Sequence, residues 1–411
     1  MQELKINLQN PDFVSKKSQP LGIYTNFDAT PINKGLEGDS FRRAEKYVLQ
    51  NTVIKLLPKE RVRGCLRYRI SSSDDVEVRY NSTREKAHYS NVQRCGSVWV
   101  CPVCSAQISE GRRQELKQAI KHHTATGGSV YLVTLTNPHY ISDDLQGQLS
   151  SQKKALKHFM GDRKPREFLK GLGKVGHIRA MEVTYGSNGW HPHYHILYFF
   201  ESPFLGGSIV LQNELGAIWQ KCCVKAGLKK PSLEHGCDVR DGSYAQEYVS
   251  KWGLEDEVTK GHIKKGRKGS LTPWDLLRLA ESGDDKAGRL FHVFAKSFKG
   301  KAQLRWSKGL KSLLLIEDKT DEELATETDK DSVQVNTIDI KIWKIILSCK
   351  LRSKYLECIE YDVKHDADTA SDLIIQYVPV YLEKHPEELE RFAETMELKN
   401  RVAELTEMST D

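Results

Sequence analysis

The chain has 411 residues, nine of them cysteines, and carries 62 Lys and Arg against 55 Asp and Glu. That length is enough for a sizeable core and two domains with appendages, and no apolar run approaches a membrane span. Met1 to Leu8 lacks the apolar core of a secretion signal, so the expectation is a soluble cytoplasmic protein with reduced thiols and no membrane partner. The charge is uneven: residues 317–411 hold 24 acidic and 12 basic side chains, and the first 316 hold 31 acidic and 50 basic. A basic body of that size suits a polyanion, of which nucleic acid is the commonest, although a basic surface can also serve solubility alone.

Residues 1–38 mix Asn, Pro, Gly and Lys without period and read as a leader. Asp39 and Ser40 can cap a helix running to about Leu57, and Arg61 to Ile70 and Val76 to Tyr80 read as strands. The stretch from Arg94 to Cys104 is a knuckle: Cys101 and Cys104 form a C-x2-C pair with Pro102 in the bend, and Cys95 and Cys65 precede them. That spacing lets thiolates share one structural zinc, whereas a redox C-x2-C would want a βαβ setting. Gly128 to Thr136 is a nearly continuous apolar run, predicting a strand buried on both faces, and it delivers Asn137-Pro138-His139 to the sheet edge. His139 is open to three readings: a metal contact, a DNA contact, or a cap on the strand end.

Ile178 to Tyr185 and Gly189 to Leu197 read as a hairpin around Ser187-Asn188 or Asn188-Gly189. Side chains two apart on a strand share a face, so His193 and His195 point the same way, and Glu182 joins them in either register. Two imidazoles and a carboxylate form a cation site with open positions; the plainer alternative is a His-rich strand without a ligand. Residues 145–172 and 211–224 read as helices. From Ser243 a further helix places Tyr244, Tyr248, Lys251 and Trp252 on one stripe, which a packing role would explain equally. Lys264, Lys265, Arg267 and Lys268 make a basic, glycine-containing loop fit for a phosphate backbone. Thr272 and Pro273 open another helix, Gln303 to Ser307 resembles a last strand, and 316–336 reads as an acidic linker to a helical module over 337–411.

In this order the motifs Trp99-Val100-Cys101-Pro102, Thr134-Leu135-Thr136, Trp190-His191-Pro192-His193-Tyr194-His195 and Tyr248-Val249-Ser250-Lys251-Trp252 resemble those of the plasmid rolling-circle replication initiators of the HUH endonuclease superfamily. The resemblance covers about 39–315 and implies an α+β domain: a central antiparallel sheet with helices on one face, related to the ferredoxin and RNA-recognition folds, with the zinc knuckle at 65–104 inserted. It also implies a nicking and joining enzyme. Tyr248 attacks one phosphodiester of the origin, and the freed 3′-OH primes synthesis by the host helicase and polymerase. Mg²⁺ or Mn²⁺ on Glu182, His193 and His195 polarises the phosphate, and a homodimer is compatible. One departure stands out. The second catalytic residue of two-residue subgroups, four places after the first, falls on Trp252, which cannot attack phosphate. Either Tyr248 acts alone or Tyr244 is the second tyrosine. The competing readings are a mobilisation relaxase or HUH transposase, and a zinc-containing DNA-binding regulator without catalysis.

Overall fold

The structure, a computed structural model, describes residues 39–242, 245, 249, 270–327 and 331–389. In chain order it begins with helix α1 (Asp39–Leu56), strands β1 (Val76–Asn81) and β2 (Lys86–Ser90), helix α2 (Pro102–Ala125) and strand β3 (Ser129–Leu135). Helices α3 (Leu145–Gly161) and α4 (Arg163–Gly171) precede the hairpin of β4 (Lys174–Gly186) and β5 (Gly189–Phe200). Then come α5 (Gly207–Lys225), the single turn α6 (Leu233–Gly236), β6 (Cys237–Arg240), α7 (Pro273–Glu281), α8 (Asp285–Phe298) and β7 (Leu304–Trp306). The chain continues through α9 (Leu310–Leu313), α10 (Asp321–Thr326), β8 (Val333–Ile338), α11 (Ile340–Ser348), α12 (Arg352–His365) and α13 (Thr369–Lys384). Among these described helices none is long and apolar enough to cross a membrane.

Among the described residues two compact units emerge, one from within 48–63 and 95–326, the other from within 39–47, 64–94 and 327–389. The first holds a five-stranded antiparallel sheet in the order β6-β3-β5-β4-β7, with the histidine strand β5 at its centre. Because side chains alternate, the sheet has two apolar faces. On one, Val133, Leu135, Tyr194, Ile196 and Tyr198 pack with Leu156 and Phe159 of α3 and Leu215 and Trp219 of α5. On the other, Leu132, Ile178, Leu197 and Phe199 pack with Leu116, Ala119 and Ile120 of α2 and with Ala245 and Val249. The α+β class with an antiparallel sheet is therefore as expected, and α2 adds a layer on the second face.

The second unit is built around a three-stranded antiparallel sheet in the order β2-β1-β8. Tyr89 is fully buried there, donating its hydroxyl hydrogen to the Arg352 carbonyl at 2.8 Å and meeting Trp343 edge-on at 4.9 Å. Arg43 and Glu360 form a two-pronged ion pair at 2.6 and 3.0 Å, and Glu360 also accepts the Ala87 amide at 2.8 Å. The stretch read from sequence as an acidic linker contains α10 and most of β8, and β8 pairs with β1. Arg61 to Ile70, expected as a strand, is instead a 3-10 turn followed by tight turns: Gly64 accepts amides from both Arg67 and Tyr68, and Leu66 has φ of 51°.

Candidate metal centres

The hairpin register settles which histidine faces the glutamate. Gly186 pairs with Gly189 across a two-residue loop of Ser187 and Asn188, so Glu182 lies opposite His193 and Ala180 opposite His195. Glu182 Oε2 stands 3.5 Å from His193 Nε2 and 3.4 Å from His195 Nε2. His193 Nδ1 lies 3.1 Å from the carbonyl of His191, an oxygen that can only accept, and this contact fixes the orientation of the ring. His195 Nδ1 meets the Thr134 hydroxyl of the adjoining strand at 3.0 Å. Burial by itself raises the Glu182 carboxyl, but His195 and His193 outweigh it and hold the group well below its ordinary range. One carboxylate and two imidazoles, half-buried on one sheet face, can bind a metal ion with positions to spare.

Helix α3 supports this strand from the other side. Gln152, fully buried, donates its amide to Asn137 Oδ1 and to the carbonyl of Pro192, which lies between His191 and His193. His139 stacks flat on His191, with ring centroids 4.5 Å apart and planes 9° from parallel. It is therefore next to the trio's strand and outside the group of three that converges. Nothing local in the sequence singles out Gln152. It sits on a polar helical stretch and acquires its role only when that helix docks under β5.

The second group is thiol. Cys65, Cys95, Cys101 and Cys104 are all buried, with their sulfurs within 4.8 Å of one another and Cys95 to Cys104 at 3.8 Å. Gly96, at φ of 60°, turns the chain sharply after Cys95. Cys101 caps α2 with Pro102 at its first position, so Cys101 and Cys104 occupy the first turn, where the helix dipole favours thiolate. Gln50 Nε2 lies 3.5 Å from Cys101 Sγ, a donor for that charge. Trp99 fastens the knuckle to α8, donating to the Lys301 carbonyl at 2.6 Å and packing on Phe298 at 4.7 Å. A closed set of four sulfurs can hold an ion such as zinc. Cys222, Cys223 and Cys237 lie elsewhere, in the sheet's core, where burial pushes their thiols up to about 11, 12 and 12.

Tyr244, Tyr248, Lys251, Lys264, Lys265, Arg267 and Lys268 lie outside the described residues. Of that stretch, Gly242, Ala245 and Val249 are helical, and the last two are fully buried on the face of the sheet that carries Glu182, His193 and His195.

With this geometry in hand, comparison with known proteins is informative. Residues 86–354 match the replication protein family. The chain belongs to that family. This membership accords with the resemblance to plasmid replication initiators carried by the motif order. A relative named "Protein rep" from Streptomyces lividans is 28% identical over 293 residues, which covers 54% of this chain and 64% of the relative. A second "Protein rep", from Bacillus amyloliquefaciens, is 23% identical over 198 residues, covering 43% of this chain and 54% of the relative. A protein named "Neomycin resistance protein" from Streptomyces cyanogenus is 33% identical over 129 residues, 25% of this chain and 30% of its own. The chain thus matches less than two thirds of each of these relatives. No solved structure matches.

Proposed function

We propose that the protein initiates rolling-circle replication of a plasmid by nicking one strand of the origin through tyrosine transesterification and later rejoining it. The observation that carries this reading is the convergence of Glu182, His193 and His195 on one sheet face, the face against which Ala245 and Val249, three residues before and one residue after Tyr248 in the sequence, are buried. Family membership supplies the setting, DNA replication.

In this reading the Tyr248 phenolic oxygen, having given up its proton, attacks the scissile phosphorus. The bond from phosphorus to the 3′ oxygen breaks, that oxygen takes up a proton, and the 5′ end stays on the protein as phosphotyrosine. A phenol with an ordinary pKa near 10 needs a neighbouring cation, and Lys251, three residues on, is the one the helical spacing supplies. Mg²⁺ or Mn²⁺ on the trio would draw charge from the scissile phosphate. Zinc on Cys65, Cys95, Cys101 and Cys104 would be structural, and the host helicase and polymerase would extend the free 3′ end.

The test is a covalent-adduct assay on a suicide oligonucleotide from the plasmid's origin. The adduct should vanish in Tyr248→Phe and persist in Tyr244→Phe; the reverse would move the nucleophile one turn toward the N-terminus. A protein that shifts supercoiled origin DNA without ever nicking it in Mg²⁺ is a regulator, and the enzyme reading fails. Cys101→Ser should lose about one zinc per chain and most of the soluble protein; a soluble, zinc-free, fully active variant would remove the thiol cluster from the account.

A further inference from the structure

The sheet face opposite the metal trio carries a set of basic side chains that no acid among the described residues answers. Arg179 on β4 and Arg305 on β7 are direct cross-strand partners. Two strand positions before Arg179 is His177, and Lys174 begins the same strand. The aromatic rings beneath show that they share a face: Arg179 lies 5.9 Å from the centroid of Tyr194, Lys174 lies 5.0 Å from that of Tyr198, and His177 is 5.9 Å from Tyr198. Tyr194 and Tyr198 belong to the core under α3 and α5, whose cover thins here: the tyrosines are buried, Lys174, His177 and Arg179 are half-exposed, and Arg305 is exposed.

Among the described residues, none of the four makes an ion pair with a carboxylate. The influences on His177 are burial, then Lys174 and Arg179, which together push it down to about 3, so it is neutral near pH 7. Its Nδ1 is buried without a hydrogen-bond partner among the described residues. Burial also lowers Arg179, and Arg305 adds to the effect. Like charges set directly opposite each other destabilise a sheet. A fold gains nothing from such an arrangement unless an anion from outside completes it.

We propose that Lys174, His177, Arg179 and Arg305 form a second DNA contact, holding backbone phosphates on the face of the sheet away from the metal trio. Two guanidiniums side by side suit the paired oxygens of a phosphodiester. β7 is a three-residue edge strand, so a DNA strand has only a short edge to round between the two faces. This rests on the reading of the protein as a DNA enzyme and adds a contact that the cleavage chemistry does not require.

The experiment measures the affinity of the full chain for a fluorescent single-stranded oligonucleotide across a salt series. Each phosphate contact on a single strand contributes about 0.7 to the slope of log affinity against log salt. The double variant Arg179→Gln with Arg305→Gln should therefore flatten the slope by about 1.4, and exposed Arg305→Gln by itself by about half of that. Arg305→Gln should also melt no lower than the parent at low salt, because it removes a repulsion. An unchanged slope in both variants, against a parent that binds with a steep one, overturns this proposal and leaves the cleavage reading standing. A parent that binds DNA without salt dependence overturns both. Binding of inorganic pyrophosphate that depends on the two arginines, with an unchanged DNA slope, would make this a small-anion site and overturn the DNA contact.

Discussion

His195 depends on a hydroxyl from another strand. Thr134 holds its Nδ1 at 3.0 Å, and so decides where the other ring nitrogen points. Thr134→Val keeps the shape and removes the oxygen. Loss of such a supporting group typically weakens metal binding about 10- to 100-fold, and the expected outcome for Mn²⁺ measured by calorimetry lies in that range. Unchanged affinity would mean that packing alone orients the ring. At this scale the candidate site was largely legible. Alternation on a strand put His193 and His195 on one face, and hairpin chemistry placed Glu182 across from them. Thr134 and Gln152 were not legible as supports, because their partners lie 61 and 40 residues away.

Between elements, close approach replaces chemistry as the deciding quantity. Gly111, in the middle of α2, faces Leu324 of α10 so tightly that an added Cβ would fall 2.7 Å from Leu324 Cδ2. Arg112 fixes the same contact from beside it, reaching Asp321 at 2.8 Å and the Lys319 carbonyl at 2.9 Å. Any side chain at Gly111 gains helix propensity of about 1 kcal/mol over glycine if it is alanine, and less if it is branched. A valine cannot fit unless Leu324 leaves. Gly111→Val is therefore expected to release α10, seen as new protease cuts within 317–327 while α2 stays helical. A protease pattern identical to the parent's would show that Leu324 simply swings aside. Composition marked this stretch as acidic and aperiodic, which it is. Its docking rests on two apolar side chains, Leu324 and Ala325, with one glycine and one arginine on the facing helix, a signal too sparse to read as a helix contact.

For the molecule as a whole, the sign change in charge near Glu317 is a boundary in composition, and the division of contacts follows a different course. Among the described residues, 64–94 join 331–389 in one unit, and Glu360 is one of the residues that tie it together, pairing with Arg43 while accepting the Ala87 amide. Both side chains are mostly buried, 16% and 12% exposed. Removing one partner leaves the other charge uncompensated, so Glu360→Ala should cost this unit about 3–5 kcal/mol, measured by hydrogen exchange at β1 and β2. Exchange rates within a few-fold of the parent's would contradict it. The pairing of β1 with β8 was not legible from the sequence, because strands far apart in the chain share no local pattern.

That pairing also sets a timetable. The hairpin of β1 and β2 is complete by Ser90, yet β8 begins only at Val333. An isolated two-stranded hairpin is marginal in water, and ribosomes add about 5–20 residues per second, so the nascent β1 edge waits roughly 12–50 s for its third strand. During synthesis Val76 and Val78, fully buried in the finished protein, have no β8 beside them. Ribosomes stalled just before codon 333 should therefore carry chains whose first sheet is open to a protease or a chaperone, and ribosomes stalled late enough for the whole of β8 to clear the exit tunnel should not.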